Sequence, residues 1–266
     1  MQVLLYVLAT GREPERRAVL RLAPGFLGSP ALLVVAGFLD GFAQGTLWAV
    51  ALGIGYGVAF VRGVSGFRIH PGHIAERHGL VVIIALGESV VAVGVGASGV
   101  GLGTSVIVAA VLGIALAAAL WWAYFDLVKL TAERRLSATQ GEERARLALD
   151  SYAYLHLPIV AGIIFATLGV EQTLAHVGDP LGTIPAAALC GGVALYLLGH
   201  NTFRLREEGS VSVPRLAVAL VCLAHLPVAV SVPSLITLAV LTALLCGLAA
   251  FETTTSREFR RELRAR

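Results

Sequence analysis

Long apolar runs separated by short polar joints dominate the 266-residue chain. A transmembrane helix needs about 20 mainly apolar residues to cross the hydrocarbon core of a bilayer. Eight runs approach or exceed this length, and each predicts a membrane-spanning helix. The predicted spans cover residues 20–39, 45–61, 74–97, 105–130, 147–175, 184–204, 214–232 and 233–251. The pattern therefore predicts an all-α polytopic transmembrane bundle.

The two ends of the chain differ from these spans. Residues 1–9 are apolar but rise only about 14 Å as a helix, so they cannot cross the membrane and are predicted to be half of a helix. Residues 252–266 are predicted to form a basic cytoplasmic tail. Pro24 and Pro30 are expected to disturb the first span. Residues 1–266 are otherwise expected to form a single transmembrane domain, which is possibly the C-terminal part of a longer protein.

Composition agrees with a membrane protein. Hydrophobic residues make up 57% of the chain and charged residues 14%, whereas soluble domains have roughly 45–50% and about 25%. These values exclude a disordered chain, a nucleic-acid-binding domain and an ordinary cytosolic enzyme, so the lipid bilayer is the first expected partner and nucleic acid is not one. The three cysteines lie in apolar runs without metal-binding or disulfide spacing. No metal or cofactor is therefore predicted.

The distribution of basic residues predicts the orientation. All 20 Lys and Arg residues lie at or beside every second joint or in the C-terminal tail, and the alternate joints have none. Cytoplasmic loops carry the excess of Lys and Arg in membrane proteins. The sequence thus predicts a multi-pass protein of the bacterial inner (plasma) membrane with a cytoplasmic C-terminus.

Three segments carry a resemblance to a known family. They read HIAERHGLVVIIALGESVVAVGVG at 73–96, LWWAYFD at 120–126 and YLHLPIVAGIIFATLGVE at 154–171. Together they resemble the bacterial low temperature requirement protein A (LtrA) family of multi-pass membrane proteins, and the ERHGL…LGES block is the most specific part. The family name describes growth in the cold and implies no chemistry. Members usually carry a further N-terminal region with several helices, so the resemblance implies a truncated or short member.

Glu88 is the central candidate for a functional group. It lies near the middle of its predicted span beside Ser89, where a charge costs about 2.5–3.5 kcal/mol on insertion scales. Arg77 is 11 positions earlier, about 16 Å along a helix, and cannot pair with it directly. Glu88 is therefore expected to meet another helix, to reach water in a cavity, or to hold a proton. A hydrogen bond between helices remains the structural alternative.

Other ionisable residues are expected to join Glu88. His156, His200 and Asp126 are predicted partners in binding a ligand or a proton, with Ser89 beside them. A structural interhelical hydrogen bond stays open for each histidine, and an interfacial ion pair with Lys129 stays open for Asp126. A second group is predicted for gating or helix docking, and it comprises Glu76, Arg77, His78 and Arg204.

These observations favour transport of a small solute, ion or proton, with no catalytic residue assigned. One alternative is an intramembrane lipid-modifying enzyme in which Glu88 and a histidine form an acid–base pair. Another is a non-catalytic membrane scaffold or sensor. The surroundings of Glu88 (water, a lipid groove or packed protein) distinguish the three hypotheses. A homo-oligomer is left open.

Overall fold

The computed structural model describes residues 13–67, 69–98, 101, 103–126 and 134–255. Helices account for most of these residues, and the only β pairing within the described ranges is an isolated bridge between Pro180 and Pro233. The main elements are α1 (Glu13–Ala36), α2 (Gly41–Arg62), α3 (Pro71–Ala97), α4 (Thr104–Phe125), α5 (Gly141–Ala148), π1 (Leu149–Tyr154), α6 (His156–Ala175), α7 (Thr183–Glu208), α8 (Val213–Ala229) and α9 (Ser234–Thr255). The predicted all-α membrane bundle is confirmed.

Each of the eight predicted spans overlaps a helix of the described structure, and residues 127–130 of the fourth span lie outside the described residues. Seven helical segments have the length and apolar composition to cross a membrane, and one of them runs through α5, π1 and α6. Helix α8 is apolar but has only 17 residues. The predicted N-terminal half-helix lies outside the described residues. The predicted tail begins inside α9, and its part beyond residue 255 also lies outside them.

The chain divides into two compact units, residues 1–70 with 136–149 and residues 71–135 with 150–266. The single transmembrane domain over residues 1–266 stays a prediction. In the first unit, α1 packs on α2 through small residues. A side chain at Gly25 would meet Val58, and one at Gly55 would meet Ser29.

Helix α1 continues through both Pro24 and Pro30, so neither proline ends the helix. Transmembrane helices tolerate proline where neighbouring helices and polar side chains satisfy the backbone. The basic ends of α1 and α2 are also tied together. Arg21 donates to the Ser65 hydroxyl at 3.0 Å, and Arg62 donates to the Arg21 carbonyl at 2.9 Å.

The second unit holds α3, α4 and α6–α9, and its tightest contact joins α6 and α7. A Cβ at Gly162 would lie 2.5 Å from the Tyr196 backbone nitrogen, and one at Gly192 would overlap the Ala166 backbone nitrogen. Small residues let transmembrane backbones approach closely, which compensates for the lack of a hydrophobic force between helices in lipid. Glycine is required here by close approach.

The π-helical turn π1 changes the course of the chain just before α6. The Leu155 amide donates to the Asp150 carbonyl at 3.0 Å, a bond that spans five residues. Pro158 has no amide hydrogen for the Tyr154 carbonyl four residues earlier, so regular helix geometry is already weakened in this turn. Single π turns often occur at functional sites. This one buries Ser151, which lies five residues before His156.

Candidate functional site

Six aromatic and imidazole rings gather in the second unit, close to the helix ends that adjoin the basic joints. We call them the His–Tyr cluster, and they come from α3, α4, π1, α6 and α7. Its members are His78, Tyr124, Tyr152, His156, Tyr196 and His200. Helices that run in opposite directions bring these residues to one level. The cluster is therefore a product of tertiary packing rather than of one sequence segment.

His156 is held by two hydrogen bonds inside the protein. Its Nδ1 lies 3.0 Å from the Ser151 carbonyl oxygen, and its Nε2 lies 2.8 Å from the Tyr124 hydroxyl. A carbonyl only accepts hydrogen bonds, so Nδ1 carries the proton and donates it. In the neutral ring, Nε2 is then the acceptor and the Tyr124 hydroxyl is the donor. The tautomer of His156 thus follows from its neighbours.

His78 and Tyr152 enclose the other side of His156. Tyr152 stacks on the His156 ring with centroids 5.1 Å apart, and the His78 ring lies at the same distance edge-on. His78 Nδ1 lies 2.9 Å from the Ile74 carbonyl and donates to it. Two neighbouring imidazoles repel each other when both are charged. The pair therefore favours holding at most one additional proton.

His200 is the unusual member of the cluster. Its side chain is 1% exposed, and neither ring nitrogen has a hydrogen-bond partner among the described residues. Its ring lies between Tyr196, with centroids 4.4 Å apart, and Tyr124, at 5.8 Å. A buried polar group without a partner costs about 1–3 kcal/mol. Such a group in a native structure calls for a bound water, an ion or a functional reason.

A buried ion pair lies beside the cluster at the basic end. Arg215 at the start of α8 donates to both Glu252 carboxylate oxygens, at 2.7 and 2.8 Å. It also donates to the Ala123 carbonyl at 3.1 Å, in the last turn of α4, where carbonyls lack intrahelical partners. Arg215 lies in the first turn of the predicted span 214–232, and Glu252 begins the predicted tail. Their pairing arises where α8 and α9 pack together, which the sequence pattern does not show.

A buried carboxylate, Glu207, was also missed by sequence reasoning. It is 5% exposed and lies beside Ser151. The predicted span ended at Arg204, but α7 continues to Glu208. The Arg204–Glu208 spacing of four residues is the signal that the helix continues, since such pairs support helices.

Glu88 lies apart from this cluster. Its side chain points outward from α3, between the exposed Ile84 (71%) and Val91 (56%). Ten residues separate it from His78, which is about 15 Å along the helix. No described residue forms a hydrogen bond with its carboxylate. The predicted convergence of Glu88 with the histidines is thus not present among the described residues.

Ser89 points inward instead. Its hydroxyl pairs with the Thr167 hydroxyl of α6 at 2.5 Å. The pair lines a small cavity with Gly113 and Leu120, with room for about one water molecule. The Leu120 carbonyl accepts a hydrogen bond from the Tyr196 hydroxyl. Polar groups therefore extend from the cavity toward His200.

The remaining candidates lie at the margins. Asp126 directly follows α4 and contributes to the electrostatic surroundings of Arg215, while its proposed partner Lys129 lies outside the described residues. Glu76 is exposed, and Arg77 donates to His73 at 2.8 Å. Arg204 pairs with Glu208 at 2.9 Å on the surface. Of the residues predicted for gating, His78 contacts the His–Tyr cluster.

No group of three or more His, Cys, Asp or Glu side chains is arranged to hold a metal ion within the described ranges. The His–Tyr cluster contains nitrogen and hydroxyl groups that can bind, hold and pass protons. Its arrangement is suited to acid–base chemistry and not to ligation by several carboxylates.

Comparison with known proteins gives a family match over nearly the whole chain. Residues 1–250 match the bacterial low temperature requirement A protein (LtrA). An uncharacterized protein of Rhizobium meliloti (strain 1021) is 30% identical over 206 residues, covering 73% of this chain and 49% of that protein. The chain thus spans about half the length of this curated relative. No solved structure matches.

Proposed function

We propose that this chain, which belongs to the bacterial low temperature requirement A (LtrA) family, moves protons or a small solute or ion across the bacterial inner membrane. Family membership and the apolar helices make it an integral membrane protein in contact with the lipid bilayer. The alternation of basic joints supports a cytoplasmic C-terminus, which would put the His–Tyr cluster in the cytoplasmic half of the membrane.

One observation carries the proposal: inside an apolar bundle, a hydrogen-bonded His156–Tyr124 pair lies next to His200, whose ring nitrogens have no hydrogen-bond partner in the described part of the chain. Ionisable groups within a membrane are costly and mark proton relays and ion pathways. The cavity beside Ser89 has room for about one water molecule. Among the three substrate classes the proton is favoured, because it can pass along hydrogen bonds without a wide pore.

His156, Tyr124 and His200 would have different roles in proton transfer. His156 Nε2 accepts the hydrogen bond of Tyr124, so it can take the hydroxyl proton when Tyr124 receives another. His200 would supply that proton through a bridging water, because its ring adjoins Tyr124 without a direct bond. Each transfer moves one proton and leaves the phenol neutral. Tyr124 is thereby the link between the two imidazoles.

Glu88 remains the proposed proton- or ion-binding group at mid-membrane depth, on the outward face of α3. The support is its position among exposed apolar side chains, where an ionised carboxylate is unfavourable without a proton or a cation. Ser89, on the inward face, would link this level to the cavity. Asp126 would act at the basic end of the bundle through its electrostatic interaction with Arg215.

The enzyme and scaffold hypotheses receive less support. An acid–base pair requires groups within hydrogen-bond reach, whereas His78 lies about 15 Å from Glu88 along α3. A packed scaffold requires Glu88 to be satisfied by protein, and within the described ranges no residue bonds to it. The buried His–Tyr cluster, rather than the surroundings of Glu88, favours transport, because ionisable groups within a membrane mark proton relays and ion pathways.

Proton flux into liposomes tests the proposal. The purified chain is reconstituted with a trapped pH dye, and an imposed pH gradient drives the flux. His200→Phe and His156→Phe are expected to lower the protein-dependent rate about tenfold or more, because positioned proton carriers contribute large factors. His225→Phe, in α8 outside the cluster, is the matched control and should retain the rate. Equal rates in wild-type and empty liposomes would exclude proton movement.

A further inference from the structure

We infer that Glu207 and Ser151 form a second proton-binding site, through which the His–Tyr cluster exchanges protons with the solution at the basic end of the bundle. This inference rests on the proposed function and adds the group that would load or release the proton there. The site lies where α7 ends beside π1. It contains a carboxylate that none of the interactions described above for the cluster explains.

Glu207 is buried without a dedicated counter-ion. Both carboxylate oxygens are shielded from solvent, and neither forms a regular hydrogen bond with a described residue. Ionised carboxylates in the interior are costly unless they are paired. Binding a proton removes the charge and so relieves this cost. The position is therefore suited to a carboxyl group that alternates between its two protonation states.

Ser151 connects Glu207 to the cluster. Its hydroxyl is buried beside the carboxylate, and its carbonyl oxygen accepts the hydrogen bond from His156 Nδ1 at 3.0 Å. A single residue thus contacts both the imidazole and the acid. The π1 turn makes this possible, because it places Ser151 in the interior immediately before α6.

The charged neighbours leave Glu207 available for a proton. Arg135 and Arg206 attract its negative charge, and Glu208 repels it. Arg206, however, pairs with Asp150 at 3.0 Å, and Glu208 pairs with Arg204 at 2.9 Å. Neither neighbouring side chain on α7 is thus a direct partner of the buried carboxylate. The two arginines would favour return of Glu207 to its ionised form after release.

The transfer balances without a further reactant. For the transfer, the Nδ1–H of protonated His156 must leave the Ser151 carbonyl, which cannot take up a proton, and donate to a water at the Ser151 hydroxyl. That water takes the Nδ1 proton and gives a proton to the Glu207 carboxylate. The imidazolium becomes neutral as the carboxylate becomes a neutral acid, so two charges disappear together inside the protein. Release of that proton to the cytoplasmic solution restores Glu207, and the reverse sequence loads the cluster.

Infrared spectroscopy combined with flux tests this site. Reconstituted protein is titrated from acid to alkaline pH in normal and heavy water. The wild type should show the carbonyl band of a protonated carboxyl group, lost as pH rises and shifted in heavy water. Glu207→Gln should lose the Glu207 component of this band, while any component from Glu88 remains, and its proton flux should fall about tenfold or more. Glu208→Gln, at the neighbouring exposed carboxylate, should retain both.

Ser151→Ala guards against misfolding of the Glu207 variant. It keeps the carboxyl group, so the band should persist at an altered frequency while flux falls. Overturning results are a titrating carboxyl band that is equally strong in the wild type and in Glu207→Gln, or unchanged flux in that variant when the wild type transports. A wild type with the band but no flux above empty liposomes refutes transport and leaves proton binding at Glu207 standing.

Discussion

At the scale of single residues, the partners of each buried polar group determine what it can do. His156 has both nitrogens engaged and a defined tautomer, while His200 has neither engaged among the described residues. His156 is therefore fixed in place, whereas the nitrogens of His200 are available to bind a proton, a water molecule or an ion. The sequence named both histidines because imidazoles are rare inside apolar spans, but the difference between them depends on neighbours from other helices.

Arg215 and Glu252 allow a quantitative test of a buried ion pair. Arg215→Met removes the buried Arg215 partner of the Glu252 carboxylate and is expected to destabilise the protein by about 3–5 kcal/mol. The double variant with Glu252→Met should recover most of that loss. Denaturant unfolding in detergent measures both. The surface pair is the control, since Arg204→Met should cost less than about 1 kcal/mol.

Glu88→Gln should separate function from stability. The described structure provides no hydrogen-bond partner for this carboxylate, so unfolding in detergent should change by no more than about 0.5 kcal/mol. Proton flux in liposomes should fall, because the amide cannot take up or release a proton. Equal flux in the wild type and the variant would remove Glu88 from the proposed mechanism.

At the scale of elements, apolar run length predicted the spans well, because the thickness of the bilayer fixes how many residues a helix needs. The pattern could not predict π1, which depends on where Pro158 and its neighbours settle after packing. The predicted first span did include Pro24 and Pro30, and α1 continues through both. Extension of α7 to Glu208 lay beyond the apolar run and escaped the same reasoning.

The contact between α6 and α7 provides a matched pair of adjacent glycines. An Ala at position 192 would overlap the backbone of α6, whereas a Cβ at Gly191 meets no atom within 4 Å. Gly192→Ala is expected to destabilise the protein by about 1–3 kcal/mol through overpacking. Gly191→Ala should stay within about 0.5 kcal/mol of the wild type. Similar unfolding midpoints for both would contradict the close approach.

At the scale of the whole molecule, the charge pattern gives the orientation a direct test. In a background with Cys190, Cys222 and Cys246 changed to Ala, one cysteine is introduced at Gly178 or at Glu208, both exposed. An impermeant thiol reagent should label Gly178→Cys in intact spheroplasts, and Glu208→Cys only after permeabilisation. The opposite result would reverse the proposed topology.

The candidate site could be predicted only in part, because some of its residues become buried only when the helices pack together. Residue type identified His156 and His200, because an ionisable group in a span is notable wherever it points. Glu207 and Arg215 were overlooked, because their burial arises where helix ends meet. The outward direction of Glu88 likewise depends on which face of α3 packs against α4 and α6, which periodicity in an almost wholly apolar helix does not show.

The glycine contact also has a mechanical consequence. Gly162 and Gly192 let the backbones of α6 and α7 lie in direct contact. The two helices are therefore expected to move together as one rigid body. His156 lies in α6 and His200 in α7, so both belong to this rigid pair of helices, whereas Tyr124 belongs to α4. If α4 slides along the α6–α7 pair, the 2.8 Å hydrogen bond between Tyr124 and His156 and the contact between Tyr124 and His200 would break or form together. The position of the Tyr124 side chain would then decide whether His156 and His200 are connected, while the two histidines keep their positions relative to each other.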